Sequence, residues 1–179
     1  MLCHSCYAEP ASMPDCAACR GTGRATSMPL CADAWNEVVP GLFQGGHDVR
    51  SQSGTACVVG DEFDLVVSLV TRAGYGPAAG VEHVVLRLAD AAIDASTAVR
   101  VDEAAGRVAD VVRDGGRVLV RCSGGLNRSG LVAASALVRL GRTPDEAISL
   151  VREARGPWAL TNPGFVTHLR GLATPRPAG

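Results

Sequence analysis

The stretch from Val118 to Gly130, VLVRCSGGLNRSG, decides the fold of this chain. Apart from Arg121, its opening residues are apolar, as expected for a buried strand that ends at Cys122. The residues from Ser129 to Leu140 are apolar almost throughout, and this pattern predicts a buried helix. A buried strand that passes through a glycine-containing turn into a helix is typical of α/β proteins.

Patterns on both sides of this stretch extend the α/β prediction. The run LVVSLV at 65–70 indicates a strand buried on both faces, and 83–88 is a second candidate strand. Residues 38–44 predict a short edge strand, because Pro40 would break a central one. Helices are expected over 97–113 and from Thr143 and Asn162 onward. We therefore expect an α/β fold with a central, mostly parallel sheet flanked by helices.

Chain length and composition predict one catalytic domain with a small appendage. The chain has 179 residues, of which 47% are hydrophobic. Five of its seven cysteines lie before residue 33, where no apolar period is sustained. We predict a cysteine-rich segment over 1–26, a catalytic domain over 33–172 and a disordered tail over 173–179.

Charge and hydropathy narrow the class of function. The net charge of −1 argues against a nucleic-acid groove or binding to an anionic membrane surface. No apolar run reaches transmembrane length, and the first residues do not resemble a signal peptide. We therefore expect a cytoplasmic protein whose thiols stay reduced. Its cysteines would then be metal ligands, a nucleophile or core fillers.

The turn after Cys122 has the properties of an anion-binding site. Successive N–H groups of a glycine-containing turn can form a nest, and the following helix adds its positive N-terminus. Arg128 offers a planar fork that fits two oxygens of a phosphoryl group. This field favours the thiolate of Cys122, which is a capable nucleophile. Ser129 can donate a hydrogen bond to that sulfur.

The residues from Cys122 to Ser129 resemble the Cys-x5-Arg-Ser/Thr loop of the cysteine-dependent protein-tyrosine and dual-specificity phosphatases. The resemblance implies hydrolysis of a phosphorylated protein or peptide through a phosphocysteine, with no cofactor for catalysis. It makes Cys122 the nucleophile, with Arg128 and Ser129 as catalytic partners. The phosphate-binding residues would be Ser123, Gly124, Gly125, Leu126, Asn127 and Arg128.

The same resemblance implies a general acid on the loop that precedes the long helix. Asp90 directly follows a candidate strand and matches the family's acid best. Asp94 is the reserve candidate, and its alternative role is to cap the helix that follows.

One departure from the family pattern leaves other functions open. The family usually has His before the nucleophilic Cys, where this chain has Arg121. An inactive phosphate-binding module is therefore an alternative to an enzyme. An RNA 5′-triphosphatase is another, since Leu126 to Ser129 looks like the loop of those enzymes. A rhodanese-type sulfurtransferase is a further one.

The front of the chain contains a candidate metal site. Two Cys-x2-Cys knuckles supply Cys3, Cys6, Cys16 and Cys19, and four thiolates suit tetrahedral Zn²⁺. Gly21 and Gly23 follow the second knuckle, which resembles the Cys-x2-Cys-x-Gly-x-Gly repeat of the chaperone zinc domain. We expect a zinc-ribbon-like segment folded by a structural Zn²⁺, which would serve target binding or stability. The alternative is a disordered leader whose thiols bind no metal.

Overall fold

The computed structural model of the chain describes residues 33–47 and 58–173. The four predicted zinc ligands and residues 174–179 of the predicted tail lie outside the described residues. Up to residue 172, the described residues belong to the predicted catalytic domain.

Within the described residues, five strands form one sheet. They are β1 (Trp35–Val39), β2 (Leu42–Gly46), β3 (Leu65–Ser68), β4 (Glu82–Val85) and β5 (Val118–Cys122). The order across the sheet is β1-β2-β5-β3-β4. Only the β1–β2 pair is antiparallel among these neighbours. The predicted α/β fold with a mostly parallel sheet is confirmed, and β2 to β5 all end at one edge of the sheet.

Helix α1 connects β4 to β5, and three more helices follow β5 along the chain. The helices are α1 (Ala95–Arg113), α2 (Arg128–Arg139), α3 (Pro144–Arg155) and α4 (Pro163–Arg170). Thr143 and Glu146 form a capping box at the start of α3, and Asn162 caps α4. These caps satisfy backbone N–H groups that have no partner within the helix. Ten of the twelve residues of α2 are buried, as its apolar sequence predicts.

The predicted edge strand at 38–44 is wrong, because this segment folds as a hairpin. Pro40 and Gly41 form the turn between β1 and β2, and Gly41 has a φ of +84°. A Cβ at Gly41 would lie 2.7 Å from the carbonyl oxygen of Gly116. Proline thus ends the edge strand early, and the chain turns back so that β2 lies inside the sheet beside β5.

The two faces of the sheet carry different residues because side chains alternate along a strand. On β5, Val118, Val120 and Cys122 belong to the main core with the buried residues of the helices. Leu119 belongs to a separate cluster on the other face, with Phe43 and Phe63. Alternation therefore places Cys122 on the helix side of the sheet and the side chain of Arg121 on the opposite side.

Candidate active site

Cys122 is the last residue of the central strand β5 and is 3% exposed. The segment Cys122–Arg128, here called the Cys122 loop, connects β5 to the first residue of α2. The predicted phosphate-binding residues 123–127 all lie in this loop. Its position at the carboxyl ends of parallel strands is where α/β proteins bind ligands.

The curl of the Cys122 loop depends on glycine at two facing positions. Gly125 has a φ of +69°, and a Cβ there would lie 2.5 Å from the carbonyl carbon of Gly45. A Cβ on Gly46 would lie 2.7 Å from the carbonyl oxygen of Ser123. The loop therefore packs directly on the end of β2, and side chains at Gly46 or Gly125 would push it away.

Two buried side chains hold the outer side of the Cys122 loop. Gln44 on β2 donates from Nε2 to the carbonyl oxygens of Gly125 at 3.1 Å and Leu126 at 3.2 Å. Arg155 at the end of α3 donates from Nε to the Gly125 carbonyl oxygen at 3.0 Å. Because a peptide unit is planar and trans, its N–H points away from its C=O. Outward carbonyls at Gly125 and Leu126 therefore turn the next two N–H groups into the curl.

Sequence reasoning missed Gln44 and Arg155. Gln44 is 0% exposed and Arg155 is 5% exposed, so both are polar side chains in the interior. The available signal was a single glutamine in the strand LFQGG, which has no polar face for it to occupy. Arg155 was indistinguishable by sequence from Arg152, the other arginine of α3.

Ser129 faces the sulfur of Cys122 across the start of α2. The distance between Cys122 Sγ and Ser129 Oγ is 3.4 Å, and Ser129 is fully buried. The N-terminal N–H groups of α2 and the positive end of its dipole lie at the same place. The predicted pairing of Cys122 with Ser129 is therefore present, in surroundings that favour negative charge.

Arg128 links the Cys122 loop to the loop that carries Asp90. Its Nη1 donates to the carbonyl oxygen of Leu88 at 3.3 Å. Its Nε is buried and has no hydrogen-bond partner among the described residues. The guanidinium therefore retains donors for a bound oxyanion while one nitrogen fixes its direction.

Asp90 is exposed, and its carboxylate is oriented by two amides. Asn162 Nδ2 donates to one oxygen at 2.8 Å, and Asn127 Nδ2 donates to the other at 3.2 Å. The Oδ1 atom of Asn127 accepts from the backbone N of Thr161 at 2.8 Å. The structure thus brings Asp90 to the Cys122 loop, with Asn127 and Asn162 as the connecting residues.

Asp94 has a different position. Its Oδ1 accepts from the backbone N of Thr97 at 2.7 Å and from Ser96 Oγ at 2.9 Å. These hydrogen bonds, the Thr97 backbone first, hold the pKa of Asp94 below its ordinary value. Asp94 is the N-cap of α1, so its alternative sequence interpretation as a capping acid is confirmed.

The side chain of Arg121 lies on the face of the sheet opposite Cys122 and donates hydrogen bonds there. It is 1% exposed, and Nε donates to Ser68 Oγ at 3.0 Å. Its Nη2 donates to the carbonyl oxygen of Tyr75. His83 also contacts Ser68 Oγ, at 2.9 Å. Arg121 therefore connects the far face of the sheet to the loop after β3.

The described part of the chain contains neither a metal-ligand cluster nor a membrane-spanning helix. No group of three or more His, Cys, Asp or Glu residues is placed there to hold a metal ion. Over the same residues, no helix is long and apolar enough to cross a membrane. Cys31 and Cys57, which the sequence suggests are core fillers, lie outside the described residues.

Comparisons with known proteins converge on one family. The profile of the dual specificity phosphatase catalytic domain matches residues 51–174. No curated protein sequence matches the chain.

Solved structures give the same result. A mouse candidate dual specificity phosphatase, crystallised with zinc tungstate, is 29% identical, with 83% of this chain and 89% of that chain covered and a TM-score of 0.61. A point variant of human DUSP28 is 30% identical, with coverages of 77% and 92% and a TM-score of 0.60. Human DUSP28 itself is 24% identical, with coverages of 82% and 95% and a TM-score of 0.63.

Proposed function

Because the chain belongs to the dual specificity phosphatase catalytic-domain family, we propose that it hydrolyses phosphate monoesters on protein side chains through a phosphocysteine on Cys122. The observation that carries the proposal is the placement of the Cys122 sulfur 3.4 Å from the Ser129 hydroxyl. The sulfur lies at the foot of a loop whose N–H groups turn inward and whose helix begins with Arg128. A tetrahedral dianion fits this combination of donors and nucleophile.

The first step is in-line attack of the Cys122 thiolate on phosphorus. The S–P bond forms as the bond from phosphorus to the side-chain oxygen of the substrate breaks, and Asp90 gives its proton to that oxygen. The inward N–H groups and Arg128 stabilise the charge on the three equatorial oxygens. The products of this step are a phosphocysteine and a free tyrosine, serine or threonine side chain.

The second step returns the enzyme to its starting state. Asp90, now a carboxylate, takes a proton from water as the water oxygen attacks phosphorus. The S–P bond breaks, and the electron pair returns to Cys122. Ser129 donates a hydrogen bond to the departing thiolate and so lowers the barrier to this step. Inorganic phosphate leaves with the oxygen of that water.

A phosphorylated protein is the substrate class that the loop favours. The residues between Cys122 and Arg128 include no Lys or Arg. A polyphosphorylated lipid headgroup or an RNA 5′ end would benefit from additional cations at this point. A structural relative was crystallised with zinc tungstate, and tungstate has the tetrahedral shape of phosphate.

Phosphate binding without turnover is the second candidate, and the position of Arg121 favours it. The side chain lies on the face of the sheet opposite Cys122 and donates to Ser68 and Tyr75. Its hydrogen bonds to Ser68 and Tyr75 differ from the loop-orienting role that the family resemblance implies for a histidine at this position. In this case the module would bind phosphorylated proteins and leave them intact.

The decisive experiment measures phosphate release from p-nitrophenyl phosphate and from a phosphotyrosine peptide without added metal. We expect vanadate-sensitive turnover in the wild type and background rates in Cys122→Ser. Equal rates in wild type and Cys122→Ser would refute the proposal.

Additional ligands and substrates separate the alternative functions. Vanadate binding with no turnover on either substrate would support the binding module, and Arg121→His would then be tested for gain of activity. Release of phosphate from a 5′-triphosphorylated RNA but not from the peptide would indicate the RNA enzyme. Transfer of sulfur from thiosulfate to cyanide would indicate the sulfurtransferase.

A further inference from the structure

We propose that Gln44 is a positioning residue that orients both the N–H groups of the Cys122 loop and the hydroxyl of Ser129. This inference rests on the proposed function, which assigns the loop to phosphate and Ser129 to the departing sulfur. Gln44 touches neither the phosphate nor the sulfur in that scheme. It acts through the two groups that do.

The side chain of Gln44 has one stable orientation in the interior. Nε2 lies 3.1 Å and 3.2 Å from the carbonyl oxygens of Gly125 and Leu126. Carbonyl oxygens only accept, so the carboxamide must present its NH₂ group to them. The opposite orientation would bring three acceptor oxygens together in a buried place.

That orientation also determines what Ser129 can do with its proton. The Oγ atom of Ser129 lies 3.4 Å from Gln44 Nε2. An amide nitrogen only donates, so Ser129 cannot donate in that direction; Nε2 has two hydrogens for three oxygens, and Ser129 Oγ shares one of them with a carbonyl oxygen. Its own hydroxyl proton is then available for the sulfur of Cys122, which lies 3.4 Å away. One carboxamide therefore directs the proton of Ser129 toward the nucleophile.

The outer end of Gln44 indicates that stability is not the reason for this residue. Oε1 is buried and has no hydrogen-bond partner among the described residues. A buried acceptor without a donor reduces stability. An apolar side chain of similar size on β2 would avoid that penalty. Proteins keep such destabilising residues mainly at functional sites. We therefore attribute Gln44 to the orientation of the Cys122 loop.

Arg155 provides a comparison within the same loop. It also donates to the Gly125 carbonyl oxygen. However, it binds Asp33 O and Asn36 Oδ1 near β1 as well. Loss of Arg155 would therefore disturb the packing of α3 against β1. Among the described residues, the side chain of Gln44 hydrogen-bonds only to the Cys122 loop and Ser129, so its substitution tests the loop more cleanly.

The experiment compares Gln44→Met and Gln44→Glu with the wild type. Vanadate affinity is measured by calorimetry, the two chemical steps by rapid-quench kinetics, and stability by thermal unfolding. Gln44→Met removes the donors and keeps the volume. Gln44→Glu keeps the shape and places acceptors against the carbonyl oxygens of Gly125 and Leu126 and against Ser129 Oγ. Ser135→Ala is the matched control, because Ser135 on α2 is also buried with an unpartnered Oγ among the described residues.

We expect Gln44→Met to weaken vanadate binding about tenfold and to slow hydrolysis of the phosphocysteine more than its formation. Its thermal midpoint should change little, because the unpartnered Oε1 is removed while the carbonyl oxygen of Gly125 keeps Arg155 Nε and that of Leu126 keeps the backbone N of Leu160. Gln44→Glu should show the larger loss of vanadate affinity, and Ser135→Ala should bind vanadate as the wild type does.

Three results would overturn this inference. The first is vanadate affinity and both step rates within twofold of the wild type in Gln44→Met. The second is a loss of affinity that occurs only with a matching loss of thermal stability. The third is a wild type that binds no vanadate, which would overturn the proposed function together with the inference. The first result, in a wild type that binds vanadate, would overturn the inference alone.

Discussion

The two loops that meet at the candidate site differ in how they are held. The Cys122 loop lies between buried groups, with Gln44 and Arg155 on its outer carbonyl oxygens and Gly45 and Gly46 against its backbone. Residues 86–94, here called the Asp90 loop, are mostly exposed. The Asp90 carboxylate itself contacts two asparagine side chains. The proposed phosphate-binding loop is thus held at many points, whereas the loop of the proposed proton donor is attached at few points, and we expect it to move away for substrate entry.

The largest expected effect comes from breaking the rigid loop at Gly125. Gly125→Ala forces a left-handed conformation on alanine and a contact of 2.5 Å with Gly45. We expect a loss of roughly 3 kcal/mol in the free energy of unfolding and loss of vanadate binding. Urea denaturation and calorimetry measure these two quantities.

Gly74→Ala is the control for that change. Gly74 has a φ of +79°, but a Cβ there would meet nothing within 4 Å. It should cost only about 1 kcal/mol and leave vanadate binding intact. Equal losses in the two variants would show that backbone strain alone, and not packing of the Cys122 loop, sets the effect.

Removing the proposed proton donor from the Asp90 loop should give the next largest effect. Asp90→Asn should lower kcat on a phosphotyrosine peptide by about 10² to 10³, because tyrosine is a poor leaving group without its proton. The loss on p-nitrophenyl phosphate should be much smaller, since p-nitrophenolate leaves readily.

Asp94→Asn is the matched control on the same loop, because asparagine is also a good N-cap for α1. It should leave both substrates unaffected. A large loss of kcat in Asp94→Asn with none in Asp90→Asn would transfer the acid to Asp94.

A smaller effect is expected at Asn162, which has two separable contacts. Asn162→Ala removes the cap of α4 and should cost about 1 kcal/mol in stability. Asn162→Ser keeps a capping oxygen and removes the amide that donates to Asp90. We expect Asn162→Ser to be nearly as stable as the wild type but to lower kcat several-fold on the peptide, which steady-state kinetics and thermal unfolding will show. If Asn162→Ser retained full kcat, orientation of Asp90 by this amide would not matter.

The smallest effect is a decline in stability as the pH falls below about 6.5, the ordinary pKa of histidine. Partial burial lowers the pKa of both His83 and His168, and Arg121 lowers that of His83 further. Below pH 6.5 the unfolded chain therefore binds protons that the folded chain does not, so unfolding becomes easier. Asp94 and Glu146 have lowered pKa values and contribute only at more acidic pH.

Urea midpoints at pH 7.5 and 5.5 measure this decline. The double variant His83→Asn with His168→Asn should reduce the difference between the two midpoints. An unchanged difference would assign the pH dependence to other groups.

The sequence predicted those parts of the site whose residues lie close together along the chain. Cys122 ends a strand, and Arg128 and Ser129 begin the helix that follows one short turn later, so their spacing alone places them together. Asp90 was predicted from its position after a strand and its family resemblance, and the structure brings it to the loop. The zinc ligands Cys3, Cys6, Cys16 and Cys19 stay a prediction, which metal analysis of the purified protein would test.

What the sequence could not provide depends on distant partners. Gln44 lies 81 residues from Gly125, to which it donates, and no local pattern encodes that contact. The hairpin at Pro40 was missed because one proline is compatible with both an edge strand and a turn. The position of the Arg121 side chain could not be predicted, because the sequence does not show which face of β5 packs against the helices.

Asn162 connects the last helix to the proposed proton donor, Asp90. The same side chain starts α4 through the backbone N of Gly164 and holds the carboxylate of Asp90. Undocking of α4 would therefore release the acid while the Cys122 loop, anchored in the sheet, stays formed. On heating, such a molecule would lose peptide turnover before it loses vanadate binding. The difference between those two temperatures would report the local stability of the carboxyl-terminal helix without any spectroscopic label.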